Sequence, residues 1–158
     1  MDLLVNRLCC AASYAPVAVT LHSEQILSQL SALDPTKFLR LITRFITDND
    51  IIQDGNAVDK NISGVQLLTL HLLTSAINHT SSSELLIELP ILVPLVLPAF
   101  KSELVDVRKA LVFVLVAIYV VVGDALHTHV QSLSSPQKKL LTIYIEKKMA
   151  QREVACAN

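Results

Sequence analysis

The sequence predicts an all-α domain in which about three helix pairs stack side by side. Apolar residues recur at spacings of three and four in several segments, as on one face of an amphipathic helix. Only three glycines occur in 158 residues, which argues against hairpin-rich β folds and glycine-rich phosphate loops. The length fits one domain, and 52% hydrophobic against 17% charged residues indicates an unusually apolar one.

Two helices are expected before residue 49. An apolar stripe predicts a helix over about 16–32, with Pro16 in its first turn. Asp34 is a favourable N-cap and Pro35 suits the first helical position, so a second helix is expected at 35–48. The apolar face of this second helix consists of Phe38, Leu39, Ile42, Phe45 and Ile46.

The middle of the chain predicts a loop, a helix and a proline-rich segment. Residues 48–61 contain Gly55 and four aspartates, so a loop is expected. Ser63 then opens a helix that runs to about Asn78. The segment 84–100 leaves two alternatives, a bent helix or an extended stretch, because a proline recurs every fourth residue. These prolines are Pro90, Pro94 and Pro98.

The most apolar run, Ala110–Gly123, comprises 14 residues without a charge. Its many β-branched residues favour a buried strand by propensity alone. Its length and a start capped by Ser102 favour a central helix that is apolar on all sides. A bilayer span needs about 20 residues, so we expect a core element and no membrane span.

The C-terminal third predicts further helices after a stop at Gly123. A short helix is expected near 124–132 and a last one from Pro136 to about Arg152. The second helices of the three pairs begin near residues 16, 62 and 103, and this spacing matches the repeat of about 40–47 residues in HEAT and armadillo arrays. We therefore expect one HEAT-like α-solenoid of about three helix pairs plus C-terminal capping helices over residues 1–153, followed by a tail at 154–158.

Several function classes find no support in the residues. There is no nucleophile elbow, no cysteine beside a plausible catalytic histidine and no phosphate cradle, so we expect no enzyme and no cofactor. A net charge of −1 and the absence of tryptophan argue against nucleic-acid binding.

Metal binding and disulfides are not expected either. The spacing of the cysteines and histidines fits no disulfide framework or metal site. The acidic loop lacks the glutamate that a calcium loop needs at its last position. These residues are Cys9, Cys10, Cys156, His127, His129, Asp48, Asp50, Asp54 and Asp59.

Three groups of basic residues are candidates for partner binding. Their ordinary explanation is that they form the solvated faces of surface helices. The functional alternative is an acidic partner that docks across them and is steered by charge. The groups are Lys37, Arg40 and Arg44; Arg108 and Lys109; and Lys138 and Lys139.

An apolar partner fits the composition better than a charged one. A stack of helices can accept an amphipathic helix or an extended peptide on its exposed Leu, Ile and Val side chains. The last predicted helix, 136–152, would leave apolar surface open, and two copies could also pair there as a homodimer.

The third helix pair carries a recognisable signature. The string Asp106-Val-Arg-Lys-Ala-Leu-Val-Phe-Val-Leu-Val-Ala-Ile-Tyr119 strongly resembles the C-terminal HEAT domain of the CLASP family. So do Val122-Gly-Asp-Ala-Leu-His-Thr-His-Val-Gln-Ser-Leu133 and Leu140-Leu-Thr-Ile-Tyr-Ile145. The match is strong over about 102–146 and weak but collinear over about 15–100. It favours a helix, rather than a strand, at 110–122.

CLASPs are microtubule-associated proteins with TOG-type HEAT domains that act at microtubule plus ends, kinetochores and the cell cortex. Their C-terminal domain recruits partners, including CLIP plus-end proteins and kinetochore factors. The resemblance therefore implies an adaptor domain of a larger cytoplasmic, cytoskeletal protein. A tubulin-binding TOG module and a homodimerisation module are the alternatives. The absence of tryptophan and the acidic loop at 48–61 argue against direct tubulin binding.

Overall fold

The computed structural model describes residues 25–156, except residues 28, 30 and 53–59. The described residues form helices and short turns without a strand, which confirms the all-α prediction. Residues 25–27, 29 and 31–33 are helical. The other helices are α1 (Pro35–Asp48), α2 (Lys60–His79), α3 (Ser82–Val96), the 3-10 helix η1 (Leu97–Lys101), α4 (Val105–Val122), the 3-10 helix η2 (Gly123–Thr128) and α5 (Ser135–Cys156).

Helix α4 lies at the centre of the described fold. It packs most extensively against α2 and also against α5, α3 and both 3-10 helices. Nine of its side chains are buried. The run at 110–122 is therefore a central helix between α2 and the last helix, as predicted. Helix α1 packs against α2 and α3 and completes the core on the other side.

Helix α1 has the bounds that the sequence predicts. The Asp34 carboxylate accepts a hydrogen bond from the Lys37 backbone N–H at 3.1 Å, and Pro35 occupies the first turn. This cap satisfies one of the N–H groups that a helix start leaves without a partner. All five residues of the expected apolar face are buried. The part of the helix predicted at 16–32 that precedes residue 25 lies outside the described residues.

Helix α2 begins three residues earlier than expected, at Lys60 rather than Ser63. The buried Gln66 side chain donates to the Ile51 carbonyl at 2.7 Å and ties the start of the acidic loop to the core. Asp48 belongs to α1 rather than to the loop, whereas Asp54 and Asp59 lie outside the described residues.

The proline-rich segment is helical, so the extended alternative is wrong. Ser81 caps α3, and both Pro90 and Pro94 lie inside the helix. Both rings are exposed, so the hydrogen bonds that they remove are lost on the face where water can replace them. Pro98 occupies the first turn of η1, where its missing N–H costs nothing.

The predicted N-cap of the central helix at Ser102 is wrong. Helix α4 starts at Val105, and Leu104 precedes it without a side-chain cap. The Arg108 guanidinium instead reaches back and donates to the Ser102 and Glu103 carbonyls at 2.6 and 2.8 Å. The guanidinium thereby holds the segment before α4 in place.

The C-terminal elements differ from the prediction in length. Gly123 ends α4 with φ = 63°, as expected of a glycine stop. The helix expected at 124–132 is the 3-10 helix η2, which ends at Thr128. Helix α5 continues to Cys156, so the expected tail at 154–158 begins inside it.

Two helical stretches are long and apolar enough to cross a membrane, judged by length and composition alone. They are Ser82–Lys101 and Val105–Thr128. The second extends beyond the uncharged run at both ends, through Asp106, Arg108 and Lys109 on one side and Asp124 on the other. Half of its most apolar part is buried inside the fold.

Candidate functional site

The three basic residues of α1 lie on its exposed face, as predicted, and two of them form ion pairs. The Arg40 Nε donates to a Glu88 carboxylate oxygen on α3 at 2.6 Å, and this hydrogen bond raises the pKa of Arg40. Arg44 pairs with Asp48 one turn further along α1 at 3.3 Å. Exposed pairs of this kind contribute little to stability, but they reduce the charge available to a partner. Lys37 is exposed on the same helix.

The basic residues of α4 and α5 are also held by local contacts. Arg108 is bound to backbone carbonyls, and Lys109 lies 3.8 Å from the Asp106 carboxylate. The Lys138 ammonium donates to the Gln131 carbonyl at 2.8 Å. Lys139 is exposed. The predicted basic groups thus lie on three helices, α1, the start of α4 and the start of α5.

An open groove of about 760 Å³ lies between α2, α4 and α5. Its floor is formed by one stripe of α4, at positions i, i+3, i+4 and i+7. Val116 and Ala117 are nearly buried, whereas the Phe113 side chain is 48% exposed. The floor residues are Phe113, Val116, Ala117 and Val120. The floor is therefore wholly apolar.

The wall on α2 is polar, with imidazole, hydroxyl and amide side chains. It repeats the spacing of the floor, with His71, Thr74, Ser75 and Asn78 facing the groove. The Ser75 hydroxyl lies 3.0 Å from the Ser31 hydroxyl, so the helical residues before Asp34 lie beside this wall.

The wall on α5 is cationic and has the same spacing again. It consists of Tyr144, Lys147, Lys148 and Gln151. The Tyr144 ring contacts the Phe113 ring edge to face, with centroids 5.7 Å apart, and so joins this wall to the floor.

Lys147 and Lys148 are the basic residues that line the groove. Within the described part of the chain, no carboxylate lies within 4 Å of either ammonium group. Among the described residues, no aspartate or glutamate side chain lines the groove. The groove therefore combines an apolar floor with positive charge along one side.

A smaller pocket of about 380 Å³ adjoins the groove, and Tyr144 lines both. It lies between the first turns of α4 and α5, with Val105, Val112 and Leu140 among its apolar residues. Arg108 and Lys109 also line it.

The groove is not evident from the sequence. Lys147 and Lys148 are adjacent in the sequence, but they lie in a helix whose exposed face contains many charges. The sequence predicts a buried Phe113, because α4 is apolar around its whole circumference and its pattern does not distinguish an open side. The α2 wall is polar and gives no periodic apolar signal.

Comparison with known proteins identifies relatives of one family. The chain is 30% identical over 145 residues to the CLIP-associated protein of Arabidopsis thaliana, covering 91% of this chain and 9% of that protein. It is 35% identical over 83 residues to CLIP-associating protein 1 of Xenopus tropicalis, covering 52% of this chain and 6% of the relative. CLIP-associating protein 1-B of Xenopus laevis is 34% identical over 83 residues, with the same coverage.

The chain thus spans less than a tenth of the length of these curated relatives. No protein-family model matches it.

Proposed function

The chain belongs to the CLASP family of CLIP-associating proteins, and we propose that it is a non-enzymatic docking domain of a microtubule regulator. In this role it binds a partner protein and thereby localises the longer protein of which it is part. We assign it to the C-terminal HEAT domain of the family, where the motifs at 106–119, 122–133 and 140–145 have their counterparts.

The observation that supports a docking role most directly is the groove between α2, α4 and α5. Between Ala110 and Ile118 of the central helix, Phe113 is half exposed while every other side chain is buried. Apolar surface that is concave and bordered by polar side chains is typical of protein-binding sites.

The names of the relatives, which refer to association with CLIP, support a CLIP-type partner. We propose a CLIP-type plus-end protein, or a kinetochore or spindle protein, as the partner. The site of action is then the cytoplasm, at microtubule plus ends, the spindle or the kinetochore. Among the basic residues predicted from the sequence, Arg108 and Lys109 are the best placed to contribute, because they line the adjoining pocket.

Gel filtration of the purified chain with a purified CLIP-type plus-end protein, and separately with tubulin dimers, tests this function. We expect a complex with the plus-end protein and separate elution from tubulin. Stable co-elution with tubulin, without a complex with plus-end or kinetochore proteins, would instead establish a tubulin-binding TOG module. A dimer that binds none of these proteins would establish a homodimerisation module.

A further inference from the structure

We propose that the groove between α2, α4 and α5 binds one amphipathic α-helix of the partner, with acidic residues along one side of its apolar stripe. The apolar stripe lies on the α4 floor, and the acidic side faces Lys147 and Lys148. This inference rests on the proposed docking function and names the surface and the chemistry of the partner.

The shape of the groove fits a helix. Each of the three surrounding helices contributes four residues at i, i+3, i+4 and i+7. Such a stripe rises about 10 Å along a helix, or two turns. Three helical ridges around an open trough provide the grooves into which the side chains of a fourth helix pack.

The charge of the groove selects the partner. Among the described residues, the Lys147 and Lys148 ammonium groups lack a carboxylate partner and no acidic side chain lines the groove. A glutamate or aspartate on the incoming helix would therefore meet positive charge without displacing an existing ion pair. A lysine in its place would be repelled.

The positive charge lies only along the α5 side of the groove, among the described residues, so the partner helix needs acidic residues on one flank. The α2 wall offers hydroxyl and amide groups, including those of Thr74 and Asn78, which suit neutral polar side chains. An ideal partner helix has apolar residues at i, i+3, i+4 and i+7, acidic residues on one flank and uncharged polar residues on the other.

The last helix of a second copy fits the groove less well than an acidic partner helix. It carries exposed apolar residues such as Ile143 and Val154. That helix carries two acidic residues, Glu146 and Glu153, against a larger set of basic ones. The basic residues are Lys138, Lys139, Lys147, Lys148 and Arg152. Docking it against the cationic wall would bring like charges together.

A synthetic peptide that stands in for the partner helix tests the proposal. The probe is a stapled helix of about 15 residues, since shorter unconstrained helices are marginal in water. It carries leucine at the four apolar positions and glutamate on one flank. A second peptide has lysine in place of each glutamate. Fluorescence anisotropy measures the binding of each labelled peptide to the chain.

The charge test uses the double variant Lys147→Glu/Lys148→Glu. We expect the acidic peptide to bind at least about tenfold more weakly than to the wild-type chain, and the lysine peptide to bind more tightly than to the wild-type chain. Lys139→Glu is the matched control, because Lys139 is exposed on the same helix but does not line the groove. It should change either affinity by less than about twofold. An increased affinity of the double variant for the lysine peptide cannot arise from misfolding.

The apolar test compares Phe113→Ser with Ile143→Ser. The two side chains are similarly exposed, at 48% and 51%, but only Phe113 lines the groove. We expect Phe113→Ser to lower the affinity for the acidic peptide about tenfold and Ile143→Ser to leave that affinity nearly unchanged. Equal affinities across both pairs of variants, or no binding of the acidic peptide to the wild-type chain, would overturn the groove proposal.

The same variants separate this inference from the proposed function. If the CLIP-type protein binds the wild-type chain and all four variants equally, the docking function stands and the groove proposal is wrong. If the acidic peptide binds in the groove but no plus-end or kinetochore protein does, the groove proposal stands and the partner class is wrong. A dimer that dissociates on Phe113→Ser would show that a second copy occupies the groove and overturn the proposal.

Discussion

At the scale of single residues, helix ends in this domain are held by a few side chains and one glycine. Asp34 and Ser81 accept hydrogen bonds from the first turns of α1 and α3. Gly123 ends α4 at φ = 63° and ψ = −138°, a conformation that side chains disfavour. Each of these positions predicts a measurable effect of substitution.

Gly123→Ala is expected to destabilise the domain by about 1–3 kcal/mol, because the backbone conformation is strained for any residue with a Cβ. No atom lies within 4 Å of the position that the Cβ would occupy, so the effect is conformational rather than steric. Gly64→Ala is the matched control: Gly64 is exposed within α2 and its Cβ position is also open. It should stabilise the domain by about 0.5–1 kcal/mol. Urea unfolding measures both, and a stabilising Gly123→Ala would contradict the assignment.

The start of α3 predicts a dependence on pH. The Ser81 hydroxyl donates to the Glu84 carboxylate at 2.6 Å, and this hydrogen bond lowers the pKa of Glu84 in the folded chain. The stabilisation by this hydrogen bond is therefore present above the unfolded pKa of Glu84, about 4.3. It is lost as pH falls through the pKa of Glu84 in the folded chain. Unfolding free energies of the wild-type chain and Glu84→Gln should differ most near neutral pH and converge as pH falls below the folded pKa of Glu84. A difference that grows with acidity would contradict this account.

At the scale of elements, the sequence predicts the bounds of a helix best where the helix has one apolar and one polar face. Helix α1 has a cap, a proline and a clear apolar stripe, and its bounds agree with the prediction. The predicted start of α4 is wrong because it relies on a serine cap, whereas Arg108 binds the preceding carbonyls instead. The predicted length of α5 is too short, since its last turns are exposed and carry no periodic apolar signal.

The groove could not be predicted for a related reason. Helix α4 is apolar on every side, so the pattern does not reveal which side remains open. Only the packing of α2 and α5 on either side exposes the stripe that contains Phe113.

The two sides of α4 should therefore respond differently to truncation. Leu115 is fully buried, and Leu115→Ala should cost about 2–5 kcal/mol through lost burial and the cavity left behind. Phe113→Ala should cost only about 1 kcal/mol, chiefly the ring contact with Tyr144. Chemical denaturation of both variants checks this. Similar large losses at both positions would show that Phe113 belongs to the core and that its side of α4 is closed.

At the scale of the whole molecule, the apolar composition has two structural explanations. Most of the excess is buried around the central helix, which contacts nearly every other described element. The remainder lies on open surfaces, including the groove floor and the exposed Ile87 and Ile91 on α3. The basic residues predicted from the sequence lie on three helices, and Arg40, Arg44 and Lys109 are already paired with carboxylates.

The measurement that tests the docking groove most directly is the mapping of amide chemical shifts in the ¹⁵N-labelled chain on addition of the acidic helical peptide. If the peptide helix lies in the groove, the largest chemical-shift changes occur in the groove-lining residues of α2, α4 and α5, around Asn78, Phe113 and Lys147. Little change is then expected on α1 or on the outer face of α3. Changes concentrated around Lys37 and Arg44, or around Ile87 and Ile91, would place the peptide elsewhere and contradict the groove proposal.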